Sequence, residues 1–262
     1  MKLFQYWDTP TPPDEVAELI GGLREQNPQL EHGLYDEEAA ALFIAAHQGA
    51  RHLSAFKACA VPAMQADYFR LCALHAVGGV YLDADFQAKQ PLSSFFDQFP
   101  GDLMIGHGDF MLSGLMVFRR PGNPFIQAFL EVVTRNIEDR KFNSALMATG
   151  PHVGDAIHAL VDPSWHAIAL ERQDDLARAM RFGELLDRTR SAIPVTAALV
   201  GAFNAITFVP TDVVRKWLRF VRAAYKASAR HWTNWEGSIY RDAASAKSLK
   251  SLVAGGGIEP PT

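Results

Sequence analysis

The feature that most constrains this chain is a pair of adjacent glycines, Gly78-Gly79, set between two apolar segments of opposite character. Before them, Ala63 to Val77 is long and rich in helix formers, and a glycine just past a helix end supplies the conformation that closes it. After them, Val80-Tyr81-Leu82-Asp83 is a short apolar run of the kind a buried strand requires. A helix that reverses at once into a buried strand belongs to an α/β sheet layered by helices.

The rest of the chain fits that class. Lys2 to Trp7 reads as a first strand, ended by Thr9-Pro10-Thr11-Pro12-Pro13, which cannot continue a central strand. Asp14 is placed to cap a helix through Leu23, and Asn27-Pro28 marks a turn. Glu31 to Tyr35 reads as a second strand, and Asp36 to His47 as an alanine-rich helix. Asp102 to Gly106 and Gly114 to Phe118 read as two further strands, separated by the turn-rich Gly106-His107-Gly108-Asp109. Asn123 to Asp139 is a second long helix, Thr149-Gly150-Pro151 a loop, and Asp155 to Val161 a helix. Strands alternating with helices indicate a central sheet flanked by helices. There is no internal repeat. Residues 1–240 are expected to form one domain, and 241–262 an extension whose end, with Gly255-Gly256-Gly257 and Pro260-Pro261, has little to bury and is expected to be disordered.

Chemistry gathers around the same glycines. Asp67 and Arg70 lie three apart on the helix and share a face. Tyr81, Asp83 and Asp85 lie two apart on an extended segment and share a face too. Folding the strand back on the helix collects three carboxylates, one guanidinium and one phenol at one end of the sheet. Two carboxylates at i and i+2 make a seat for a hard divalent cation, Mn²⁺ or Mg²⁺, which keeps room for substrate phosphates. The carboxyl end of a strand is also where α/β sheets bind ligands. Such an ion can neutralise the charge that develops on a diphosphate leaving group. An Asp-x-Asp triplet alone is more often a solvated turn; the whole constellation is what carries the reading.

That constellation, Ala66-Asp67-x-x-Arg70 followed by Gly78-Gly79-x-Tyr81-x-Asp83-x-Asp85, resembles the DXD-containing sugar transferases. The group includes initiating α-1,6-mannosyltransferases, capsule and lipopolysaccharide transferases of glycosyltransferase family 32, and glucosylating toxins. Phe4-Gln5-Tyr6-Trp7, Asn27-Pro28, Thr149-Gly150-Pro151 and His231-Trp232-Thr233-Asn234-Trp235 resemble other parts of that pattern more loosely. The resemblance implies a GT-A-like α/β fold. It implies a hexosyltransferase moving sugar from a nucleotide-diphosphate donor to a glycan or lipid-linked acceptor in polysaccharide biosynthesis, with retention. Asp83 and Asp85 would be catalytic, with Asp85 on the metal and Asp83 at the metal and the donor sugar or ribose. Asp67 and Arg70 would bind the sugar's hydroxyls, Tyr81 would lie near the nucleotide, and Trp7 would stack on the base. His231 would return to the metal, with Trp232 and Trp235 closing over the donor. Gly106 to Gly114, where an acceptor would be met, shows no pattern of the group.

Composition narrows the alternatives. The chain has 262 residues, a formal net charge of −4 and 48% apolar residues, which argues against a dedicated nucleic-acid binder and against disorder throughout. Cys59 and Cys72 match no zinc or redox spacing and read as reduced thiols. No stretch has the length of a membrane span, and the N-terminus lacks the apolar run of a signal peptide, so a cytoplasmic protein is expected. Val213 to Arg230 has apolar residues at helical spacing among six basic ones, and could form an amphipathic helix touching the inner face of an anionic membrane or simply pack with a solvated basic face. Of the nine histidines, His47, His52, His75, His158 and His166 have no partner at metal spacing, and His107 beside Asp109 is a loop residue within reach of an acceptor. Two rivals stand beside the transferase. One is a sugar-nucleotide-binding protein of the same fold without turnover. The other, weaker, is a phosphatase of the haloacid-dehalogenase type, whose first aspartate belongs near the first strand.

Overall fold

The computed structural model describes residues 1–107, 110–162, 164, 176–221, 224–228 and 231–242. Its elements run β1 (Lys2–Tyr6), α1 (Asp14–Gln26), β2 (Glu31–Tyr35), α2 (Glu37–Gln48), α3 (Ala50–Ala58), α4 (Pro62–Val77), β3 (Gly79–Leu82), β4 (Phe86–Ala88), α5 (Ser93–Gln98), β5 (Leu103–His107), β6 (Phe110–Phe118), α6 (Pro124–Glu138), α7 (Ala145–Ala148) and α8 (Pro151–Val161). Helices Leu176–Ala192 and Ala197–Asn204 follow, then β7 (Thr207–Pro210), a short helix Thr211–Val214 and β8 (Leu218–Phe220).

Six strands form one mixed sheet in the order β2-β1-β3-β6-β5-β7. β1 is parallel to both β2 and β3, β6 is antiparallel to β3 and β5, and β7 is parallel to β5. This is the expected α/β class, a mixed central sheet flanked by helices. Side chains alternate across it. Tyr81, Met116 and Phe118 enter the core beneath α4, α6 and α8, while Val80, Leu82, Leu115 and Val117 enter the core on the opposite face with Leu23, Phe95 and Trp217. Both faces are covered, which is why β3 is buried along its whole length and reads as an unbroken apolar run.

Gly78 and Gly79 make the reversal that the sequence predicts. Gly78 has φ 72° and its N–H donates to the Leu74 carbonyl at 3.0 Å, closing α4. Gly79 has φ 120°, and a Cβ there would stand 2.6 Å from the Lys2 carbonyl oxygen. The close approach of β3 to β1 therefore depends on the missing side chain. Asp36 caps α2 by accepting from Ala39 N at 2.8 Å, and Asn123 caps α6 ahead of Pro124. Asn27, at the predicted turn, is buried and joins α1 to the segment before α5: its amide donates to Leu23 O and accepts from Leu92 N.

Three local expectations are corrected. Asp14 is the first residue of α1 rather than its cap; Pro13 holds the capping position, and its carbonyl accepts from Val16 and Ala17. Asp14 and Glu15 instead place negative charge in the first turn, where the helix dipole favours it. Asp83, Ala84 and Asp85 do not continue the strand, which ends at Leu82; Phe86 N donates to Asp83 O in a turn. The segment 213–230 is not one amphipathic helix. Its helical piece ends at Val214, and Leu218–Phe220 is a strand paired antiparallel with β4, Phe86 opposite Phe220. Trp217 and Leu218 are buried in the core, so the residues that were to face a membrane are divided between core and strand. Arg222 and Arg230 lie outside the described residues, as do Asp109, His166 and the 251–262 tail.

Order continues to the start of the expected extension. Tyr240 bridges Cys59, and Arg241 pairs with Glu37 while its N–H donates to Ala58 O at 2.8 Å. Cys59 and Cys72 are free thiols, both buried. Among the described residues no helix is long and apolar enough to cross a membrane.

Candidate active site

β1 and β3 run parallel, so their carboxyl ends open on the same edge of the sheet. A cavity of about 610 Å³ lies there, with Trp7 at the end of β1 and Asp83 and Asp85 just past β3. Asp67 and Arg70 enter from α4, and Tyr225, Lys226, His231 and Trp232 from the C-terminal segment.

Arg70 organises the floor. Its Nη2 lies 3.1 Å from Asp67 Oδ1 and 2.9 Å from Asp83 Oδ1, and its guanidinium stacks 4.5 Å over the Tyr81 ring. The i,i+3 ion pair thus lies on the cavity wall itself. Tyr81 is fully buried beneath the guanidinium, so it supports Arg70 more than it faces the open cavity. Thr149 Oγ1 donates to Asp67 Oδ2 at 2.9 Å, which brings the Thr149-Gly150-Pro151 loop to the site. Burial pushes the Asp67 carboxyl up to about 6 despite Arg70 and Thr149. Burial also raises Asp83, with Arg70 opposing and the neighbouring carboxylates of Asp85 and Asp67 reinforcing.

Asp83 is placed by main-chain bonds. Its N–H donates to Gly114 O at 2.8 Å, and its carbonyl accepts from Gln5 Nε2 at 3.4 Å. A Cβ on Gly114 would stand 2.7 Å from Asp83 Oδ2, so Gly114 leaves the space this carboxylate occupies. Asp85 is buried. Its Oδ2 accepts from Tyr225 Oη at 2.7 Å and lies 2.7 Å from Lys226 Nζ, while its Oδ1 is buried with no hydrogen-bond partner among the described residues.

A buried, unpartnered carboxylate oxygen beside a second carboxylate fits a hard divalent cation, whose shell substrate phosphates complete. No group of three His, Cys, Asp or Glu is placed to hold a metal among the described residues. The protein's share of such a shell is thus the two aspartates. His231 lines the cavity, but its Nδ1 faces Thr233 Oγ1 at 2.6 Å and accepts the local turn; burial and Lys226 lower its pKa. Trp7 lines the cavity and packs edge-on against Tyr225, ring centroids 4.9 Å apart. Trp232 is exposed at the rim. Trp235 is the correction: the turn Trp232–Asn234 carries it away from the cavity, where it packs on the main core and donates to Ser238 O.

Tyr225, Lys226 and Gly114 are site residues that sequence reasoning did not single out. The first two arrive through the β4–β8 ribbon, where Val221 N donates to Asp85 O at 3.0 Å. Glu15 then fixes the following turn by accepting from Ala224 N and Tyr225 N at 2.8 and 2.9 Å.

Fold and site together define a class, an α/β domain with a carboxylate pair at the ligand-binding edge of its sheet. Residues 13–102, about a third of the chain, match the family described as "Glycosyltransferase sugar-binding region containing DXD motif". That stretch holds α4, Gly78-Gly79, β3, Asp83 and Asp85, and supports sugar transfer as the chemistry. Among solved structures the chain is similar to "PaToxG Glycosyltransferase" at 14% identity, covering 73% of this chain and 84% of that one, with a TM-score of 0.43. No curated protein matches it.

Proposed function

We propose that this protein is a metal-dependent glycosyltransferase of the family-32-like group, moving a hexose from a nucleotide-diphosphate sugar to a glycan or lipid-linked acceptor with retention. The observation that carries the reading is the cavity at the carboxyl ends of β1 and β3, with both carboxylates of the DXD motif on its wall, inside the stretch that matches a glycosyltransferase sugar-binding region. Asp83 and Asp85 would hold Mn²⁺ or Mg²⁺, which would neutralise charge on the departing diphosphate. Asp67, Asp83 and Arg70 present two carboxylates and a guanidinium suited to sugar hydroxyls, in a buried setting where each hydrogen bond gains weight. Trp7 offers an aromatic face to the base. Trp232 at the rim, with Tyr225, would exclude water from the reacting bond. Retention and the capsule or lipopolysaccharide setting rest on the resemblance alone.

The test is incubation with a panel of nucleotide sugars and Mn²⁺, following release of nucleoside diphosphate with and without candidate acceptors. Wild-type protein is expected to turn over at least one donor, and Asp85→Asn to lose that activity while keeping its fold. Full activity in excess chelator would refute the metal's role. Tight donor binding without hydrolysis or transfer would favour the non-catalytic binding protein.

A further inference from the structure

Lys226 is an ammonium placed where a cation bound to Asp85 would be. Its Nζ lies 2.7 Å from Asp85 Oδ2 and 3.3 Å from the centroid of the Phe220 ring. It is mostly buried, with 16% of its side chain exposed, and among the described residues it makes no bond of hydrogen-bonding geometry. An ammonium carries three donors, and leaving them unsatisfied in a desolvated site is costly. Asp85 is equally incomplete, since its buried Oδ1 has no hydrogen-bond partner among the described residues. The pair therefore neutralises charge without satisfying either group, which marks a site built for further ligand atoms rather than a finished ion pair.

Arg70, the other Lys or Arg lining the cavity among the described residues, cannot supply what is missing. The guanidinium of Arg70 is held by two carboxylates and by the Tyr81 face. Lys226 hangs on one flexible stem from a turn that Glu15 fixes to α1, so its head can swing while its backbone stays in place. A divalent ion seated on the open Oδ1 of Asp85 would put two positive charges beside an ammonium held 2.7 Å from the same carboxylate, and like-charge repulsion then drives the ammonium away from Oδ2. The acceptor-rich group then arriving beside the ion, within reach of a lysine stem, is a diphosphate.

We propose that Lys226 and the divalent cation compete for Asp85, and that on metal binding Lys226 passes to the oxygens of the donor's diphosphate, adding a second positive charge to the leaving group. The inference rests on the functional reading above. It makes and breaks no covalent bond: Lys226 contributes charge and hydrogen bonds while remaining protonated.

The experiment replaces Lys226 with Met, which keeps the apolar stem against Phe220 and removes the charge. Mn²⁺ binding without nucleotide is followed by the free-ion electron paramagnetic resonance signal, and UDP or GDP binding at saturating Mn²⁺ by calorimetry. In Lys226→Met, Mn²⁺ is expected to bind more tightly and the nucleoside diphosphate more weakly, each by about tenfold, the low end of measured couplings between close charges. Lys226→Arg should keep the nucleotide affinity near wild type, and it also serves as the measurement if the Met variant fails to fold. Affinities that fall together, or that do not move, in Lys226→Met overturn the exchange, as does loss of nucleotide binding in Lys226→Arg. Wild-type protein that binds Mn²⁺ but neither UDP nor GDP overturns the nucleotide-sugar reading, and the exchange with it; crossed affinities missing from a protein that binds both overturn the exchange alone.

Discussion

Glu15→Ala tests how the C-terminal segment is held over the site. The Glu15 carboxylate accepts two backbone N–H groups, from Ala224 at 2.8 Å and Tyr225 at 2.9 Å, beside the apolar cluster of Val16 and Ile20 on which the Tyr225 side chain packs. Hydrogen bonds to a charged acceptor contribute roughly 1.5–3 kcal/mol each when buried; these lie at a partly exposed surface, so about 1 kcal/mol each is the appropriate scale. Removing both should lower the free energy of opening the segment by about 2 kcal/mol, roughly a 30-fold rise in the open population. The amides of Ala224 and Tyr225 lose their acceptor outright and are poor reporters. Ser228 N and His231 N are better, because they donate to Tyr225 O and Ser228 O inside the segment and never touch Glu15. Their hydrogen exchange is expected to accelerate about 30-fold in the variant. The unfolding midpoint should move little, since both bonds lie in a partly exposed turn outside the six-stranded sheet. Unchanged exchange at Ser228 and His231 would refute the latch. A fall in global stability equal to the change in local opening would show that the segment unfolds only with the whole domain.

Three further outcomes follow from distances already given. Gly79→Ala, with a φ of 120° and a Cβ 2.6 Å from Lys2 O, should cost roughly 3 kcal/mol or more and lower the melting temperature by roughly 10 °C, whereas Gly22→Ala in α1, with open space around it, should not; equal midpoints for the two would show that β1 and β3 can separate freely. Gly114→Ala should weaken Mn²⁺ binding more than it weakens the fold, because the added methyl displaces Asp83 Oδ2; calorimetry showing wild-type Mn²⁺ affinity would remove Gly114 from the site. Asp67, whose carboxyl is raised to about 6, holds its proton more tightly in the folded protein than in the unfolded chain. The folded protein therefore loses stability on this account as pH rises from about 4 to about 6, by roughly 3 kcal/mol, and Asp67→Asn should make the slope shallower, leaving the share that belongs to Asp83; urea melts of the two proteins that stay parallel across this range would contradict it.

Much of the local architecture was legible in the chain. Gly78-Gly79 announces a reversal because only glycine tolerates those dihedrals and that proximity to Lys2, and Asp36 and Asn123 mark helix starts because their side chains satisfy free backbone donors. The gathering of Asp67, Arg70, Tyr81 and Asp83 followed from helix and strand periodicity across one tight turn, all within seventeen residues, a span where local geometry decides position. What could not be read was long-range pairing. Trp217, Phe220, Val221, Ala224 and Tyr225 keep helical spacing, yet Leu218–Phe220 is a strand because β4, some 130 residues earlier, offers an open edge. Periodicity reports which residues want burial, and the partner that buries them is chosen by the whole fold. For the same reason Lys226 and Tyr225 carry no local signal of their place on Asp85: a ribbon between distant strands and one glutamate in α1 bring them there, and only the tertiary structure decides that the second aspartate of the motif already has an ammonium beside it.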